Sequence, residues 1–288
     1  MARGRLEHVA STKGSAPVVV MAFQGWNDAA DAATSVIDYL EDNYPTKTLA
    51  TLDDEGFYDY QMTRPNVFIN EQGKRELAWP NVTVELCQLP NREVVLISGP
   101  EPNLRWRDFV TWVDTTVKVS KPAYIVLLGA MLSDAPHSRP FEVSGQAPPA
   151  LAGRLELEPN DYEGPTGIIG IIGHLYEQKS AAKLVTMWVS VPHYTAPPPN
   201  PKAGLALIER LQTVLGCEFD LTQWRDEVNE WEAHINELIE DDPDMAEYVA
   251  SLESQTDAET VPRGTGDKLA AAFEEYLSKG RRSGDGLS

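Results

Sequence analysis

The stretch Pro17-Val18-Val19-Val20-Met21-Ala22-Phe23, running straight into Gln24-Gly25-Trp26-Asn27-Asp28, decides how the rest of the chain is read. A continuous apolar run that stops at a glycine turn is the pattern of a strand covered on both faces. Beyond the turn, Ala29, Ala33, Val36, Ile37 and Leu40 recur at helical spacing. Asn27 or Asp28 stands where a helix N-cap belongs, and Pro45 lies just past the end. The segment therefore reads as a strand followed by a helix.

Three more runs repeat the theme. Glu93 to Ser98 leads into Gly99-Pro100-Glu101, and Pro102 is placed in the first turn of a helix whose buried stripe is Trp106, Phe109, Val113 and Val117. Ala123 to Gly129 runs into the loop that holds His137 and Arg139, and residues 141 to 160 are turn-rich with edge-strand character. A helix from Thr166 to Gln178 precedes Lys183 to Val191, after which Pro197-Pro198-Pro199 enforces an extended passage and Ala203 to Leu215 returns as a helix. Alternating strands and helices predict an α/β fold with a three-layer α/β/α core. Asn66 to Trp79 departs from this rhythm: two short strands flank Gln72-Gly73-Lys74, an inserted hairpin near residues 64–80. Such a hairpin has two edges to hide, and self-association is the expected use.

Charge divides the chain. The 288 residues carry a net charge of −20, and the stretch from Glu218 to Glu259 holds fifteen carboxylates against one cation, Arg225. The expected organisation is a core over residues 1–216, an acidic helical extension over 217–280 that serves as a lid over the site, a domain buttress or an oligomer contact, and a disordered tail over 281–288. In the extension Trp224, Val228, Trp231, Ile235 and Leu238 form an apolar seam. Acidity of this degree argues against nucleic acid and anionic lipid as partners. Cys87 and Cys217 sit in apolar surroundings and read as free buried thiols. No apolar run reaches the roughly 18 residues of a membrane span, and a cytoplasmic protein is expected.

In parallel sheets ligands bind at the carboxyl edge, where the polar clusters of this chain fall. Candidate ligand contacts are Trp26, Asn27, Asp28, Glu101, His137, Arg139, Glu163, His193 and Tyr194. Arg139 offers a planar fork to an anion. His193 is the leading proton-transfer candidate, with Glu101 and Glu163 as carboxylate partners. The spacing of Asp134, His137 and His193 matches no metal motif, and neither a phosphate-binding glycine fingerprint nor a G-x-S-x-G elbow is present. No cofactor is expected.

Four ordered motifs point to a family: Phe23-Gln24-Gly25-Trp26-Asn27-Asp28-Ala29; Leu128-Gly129-Ala130 with Pro136-His137-Ser138-Arg139-Pro140; Glu163-Gly164-Pro165-Thr166-Gly167-Ile168; and Val191-Pro192-His193-Tyr194. Together they resemble the PAC2 family, relatives of the proteasome assembly chaperone 2 subunit, in the bacterial branch with a helical extension. The resemblance covers roughly residues 16 to 255. It implies a core similar to purine nucleoside phosphorylase-like folds, homo-oligomers with the trimer favoured, and no established catalytic activity. Protein partners are expected alongside this, or a small polar or anionic ligand held at the helix N-terminus beside Trp26 and by Arg139. The alternative is a phosphorylase- or hydrolase-like enzyme acting at the sheet edge. Family members tied to proteasome assembly use a C-terminal hydrophobic–Tyr–any tripeptide. The stretch Asp285-Gly286-Leu287-Ser288 departs from it, which argues against docking in that mode.

Overall fold

The computed structural model describes residues 15–52, 55–160, 162–180 and 183–260. The expected final helix around Leu269 to Leu277 and the tail over 281–288 lie outside the described residues.

Strand β1 (Val18–Gln24) occupies the centre of a seven-stranded sheet, paired in parallel with β6 (Glu93–Pro100) on one side and β7 (Tyr124–Ser133) on the other. That position explains its uninterrupted apolar run. Val18, Val20 and Ala22 enter one core, while Val19, Met21 and Phe23 enter the other. The full order is β2-β5-β6-β1-β7-β9-β8. Strand β9 (Leu184–Pro192) continues the parallel set beside β7. Strands β2 (Thr46–Leu52), β5 (Val82–Gln88) and β8 (Val143–Gln146) pair antiparallel with their neighbours at the flanks. Helices α1 (Thr34–Asn43), α3 (Pro149–Leu155) and α5 (Pro201–Leu215) cover the first face. Helices α2 (Trp106–Ser120) and α4 (Ile168–Ser180) cover the second. The layered α/β/α arrangement is the one the strand–helix alternation predicts.

Several local expectations change. Pro102 lies outside α2, which starts at Trp106 behind Arg105 in the left-handed region (φ 54°). Pro102 instead presents its carbonyl to the Trp106 indole Nε1. Helix α5 begins at Pro201 rather than Ala203, because the Asn200 side chain accepts the Ala203 N–H at 3.1 Å. The turn-rich segment after residue 141 contains α3 as well as β8. Cys87 is buried and Cys217 half-buried, both as free thiols. No helix of the described residues is long and apolar enough to cross a membrane.

Strands β3 (Asn66–Ile69) and β4 (Arg75–Ala78) form a separate two-stranded hairpin. Val67 faces Leu77 and Ile69 faces Arg75 across it, so these four side chains share one face. Val67, Ile69 and Leu77 remain 56%, 62% and 55% exposed.

Helix α6 (Thr222–Glu240) opens the segment expected as an acidic extension. The first compact unit runs to Leu238, and Trp224 and Val228 belong to the same core cluster as β1. Acidic composition suggested a separate extension, but the apolar seam carries this helix into the core. The seam fades along its length: Trp231 and Ile235 are half-buried and Leu238 is exposed. The second unit, from Ile239, contains helix α7 (Pro243–Thr260).

Candidate functional site

The carboxyl ends of β1, β6, β7 and β9 lie along one edge, and two separate side-chain groups form there. The first is built on Glu101, immediately after β6. Its Oε1 accepts the Asn27 Nδ2–H at 2.7 Å and the Ile168 N–H of the first turn of α4 at 2.7 Å. A carboxylate thus caps the positive end of a helix from another part of the chain. Gly167 is required at this joint, since a Cβ there would stand 2.0 Å from Asn27 Oδ1 and 2.8 Å from Glu101 Oε1. Asn27 is fully buried, its carbonyl accepts the Ala130 N–H at 2.8 Å, and its Oδ1 has no hydrogen-bond partner. Trp26 is 60% exposed beside this joint.

Trp26 lines two open cavities. One, of about 610 Å³, includes Ser98, Thr83, Asp38, Glu101 and, from the root of the hairpin, Trp79. The other, of about 840 Å³, lies over α4, β9 and β8 and includes Trp188, Tyr162, Gln146 and Glu177. The Gln146 amide donates to Glu177 Oε1 at 2.6 Å.

The second group surrounds His137. Buried at 2% exposure, it receives the Tyr194 hydroxyl at 2.9 Å from Nδ1 and sets Nε2 3.0 Å from Asn236 Oδ1 of α6. The same Tyr194 oxygen accepts the His137 backbone N–H at 2.7 Å, so one phenol holds both the backbone and the ring of His137. The Lys202 ammonium donates to the His137 carbonyl at 2.6 Å and pairs with Glu232 of α6. Trp231 stands edge-on to the imidazole at 6.4 Å. His137 is therefore the clasp that holds α6.

The nine candidates do not meet in one pocket. Trp26, Asn27 and Glu101 come together; His137 and Tyr194 come together elsewhere. Glu163 and His193 are exposed and line neither cavity, and Arg139 is half-buried, with Nη1 3.3 Å from Ser138 Oγ, and also lines neither. The Asp28 and His137 side chains are buried and hydrogen-bonded within the fold. His193, Glu101 and Glu163 do not line a common cavity. No residue of α6 lines either cavity at Trp26. Among the described residues no three His, Cys, Asp or Glu side chains are placed to hold a metal ion together. Sequence reasoning missed the clasp residues Lys202, Glu232 and Asn236, for which helical spacing gives no signal.

Asp28 shows what the fold demands of a buried carboxylate. It caps α1 from upstream of the usual N-cap position: Oδ1 accepts the Ala33 N–H at 2.6 Å, and Thr34 donates its hydroxyl to Oδ2. Burial pushes its pKa up to about 6, against the opposing pull of the Thr34 and Ala33 hydrogen bonds. A raised folded-state value means that the native protein holds the proton more tightly than the unfolded chain. The associated stability is complete below pH 3.8 and is lost as pH rises through 6, by about 3 kcal/mol. Asp28→Asn keeps an acceptor for Ala33 and removes the charge. Its melting temperature is expected to fall less than that of the parent between pH 4 and 7, and parallel profiles would refute the assignment.

The model that describes the PAC2 family matches residues 22–239. The chain belongs to the PAC2 family. This PAC2 family protein is similar to one from Streptomyces avermitilis MA, with 38% identity over 81% of this chain and 99% of that one, and a TM-score of 0.73. It is also similar to a proteasome-assembly chaperone homologue from Mycobacterium tuberculosis, with 41% identity over the same shares and a TM-score of 0.72. A second M. tuberculosis protein, of unknown function, is 23% identical and shares the fold with a TM-score of 0.81 over 93% of this chain and 92% of that one. Among curated proteins none matches. The matched PAC2 segment ends beside the limit of the first compact unit, so α6 is part of the family fold.

Proposed function

We infer that this PAC2 family protein is a cytoplasmic, homo-oligomeric assembly-chaperone-like protein that works by binding protein chains. The supporting observation is the β3–β4 hairpin, whose apolar face meets water although an isolated hairpin is marginal by itself. Burying Val67, Ile69 and Leu77 against another copy removes that cost. The likeness to a proteasome-assembly chaperone homologue supports the same role. The dispersal of His193, Glu163 and Arg139 weighs against the enzyme reading. The Trp26 cavities are the place for a partner segment or a small polar ligand, and the trimer is the expected assembly.

The test is the mass of the full chain in solution. Replacing Val67, Ile69 and Leu77 together with serine is expected to convert an oligomer into monomer while leaving the melting temperature of the monomer unit nearly unchanged, since none of the three enters either core. A serine variant that keeps the parent mass would reject the role of the hairpin.

A further inference from the structure

The only charged side chain on the apolar hairpin face is Arg75, with Lys74 next to it at the turn. Residues 64–80 contain three cations and two carboxylates, a basic island in a chain of net charge −20. One of the two carboxylates, Glu76, lies on the opposite face and accepts the Asn70 amide at 2.6 Å. Among the described residues neither Lys74 nor Arg75 makes an ion pair. The other carboxylate, Glu71, shares the turn with Lys74, so positive charge is confined to the apolar face, at Arg75.

A matching socket exists elsewhere in the first compact unit. A cavity of about 740 Å³ between α1, the entry to α5, and α6 includes Asp31, Asp38, Asp42, Asp220, Glu227 and Glu230, and no lysine or arginine lines it. Its walls also present Tyr39, Trp224 and Trp231, which give apolar surface and π faces beside the carboxylates. None of the six carboxylates is in an ion pair among the described residues. Their mutual repulsion is visible at Asp38, whose carboxyl is raised by burial and by Asp42 and Asp31 beside it.

We propose that the socket receives the β3–β4 hairpin of a second copy of this chain, with Val67, Ile69 and Leu77 against its aromatic walls and Lys74 and Arg75 among its carboxylates. This rests on the reading of the hairpin as a self-association element and specifies the surface it meets. Complementary charge selects the second copy: the hairpin carries what the socket lacks, and both belong to one sequence. Hairpin and socket are different surfaces, so the contact is heterologous, the kind that builds a ring where its rotation closes and a filament where it does not.

A charge swap tests it, read by sedimentation equilibrium of the full chain at low and high salt. Arg75→Glu alone and Asp42→Lys with Glu230→Lys are each expected to weaken self-association about tenfold or more. Combining the two sets is expected to restore most of the lost affinity, and salt is expected to weaken the parent but affect the swapped pair in the same sense. Far-UV circular dichroism and melting confirm that each variant is folded. If the serine hairpin variant dissociates but socket reversal does nothing, or the combined swap is as weak as its components, the socket assignment is overturned and the hairpin reading stands. If neither hairpin variant changes the mass, both fall.

Discussion

Trp224→Ala is expected to destabilise the protein by about 3–5 kcal/mol, the range for truncating a large buried aromatic. The indole is 7% exposed, donates from Nε1 to the Pro201 carbonyl at 2.9 Å, and lies 5.2 Å from the Tyr39 ring. Its seat depends on Gly204, where a Cβ would stand 2.6 Å from Trp224 Cζ2. Removing the indole leaves a cavity that neither α1 nor α5 can fill, and it loosens α6 along its whole seam. Chemical denaturation should show a lower midpoint, and hydrogen exchange should show α6 amides losing protection before those of β1. A midpoint within the error of the parent would mean that α6 is a passive appendage.

Glu101→Ala is the second large effect, about 2–5 kcal/mol, for a different reason. The deletion leaves the Ile168 N–H and the Asn27 amide without their acceptor at a largely buried joint, and each unsatisfied group carries its own desolvation cost. Glu101→Gln retains one oxygen and should recover about half of the loss. Because Asn27 also pins Ala130 on β7, the alanine variant should loosen the β1–β7 margin and the start of α4 together. Urea unfolding of the three proteins measures this. Equal stability of parent and alanine variant would show that Glu101 does not cap α4, and would return it to the pool of groups available to a ligand.

Much of the architecture was legible because it follows from local pattern. The run from Val18 to Phe23 can be buried on two faces only as a central strand, and the Val36, Ile37 and Leu40 spacing can serve only a helix packed on one of them. The hairpin was equally plain, since Gln72-Gly73-Lys74 separates two short strands. The site was read less well. Position after a strand end correctly brought Trp26, Asn27 and Glu101 to one edge, but it did not say which side chains the fold would use for itself. Asp28 serves α1 and His137 serves α6, and both depend on partners remote in the chain.

The amino-acid order alone set the strand–helix rhythm, the family motifs and the acidity of the last quarter, because these depend on neighbours a few residues apart. Tertiary structure decided the rest: that α6 joins the core despite its charge, that Glu101 closes a helix end, and that the hairpin leaves an apolar face in water. Those outcomes depend on which desolvated groups find partners across the molecule, and spacing along a chain carries no record of that.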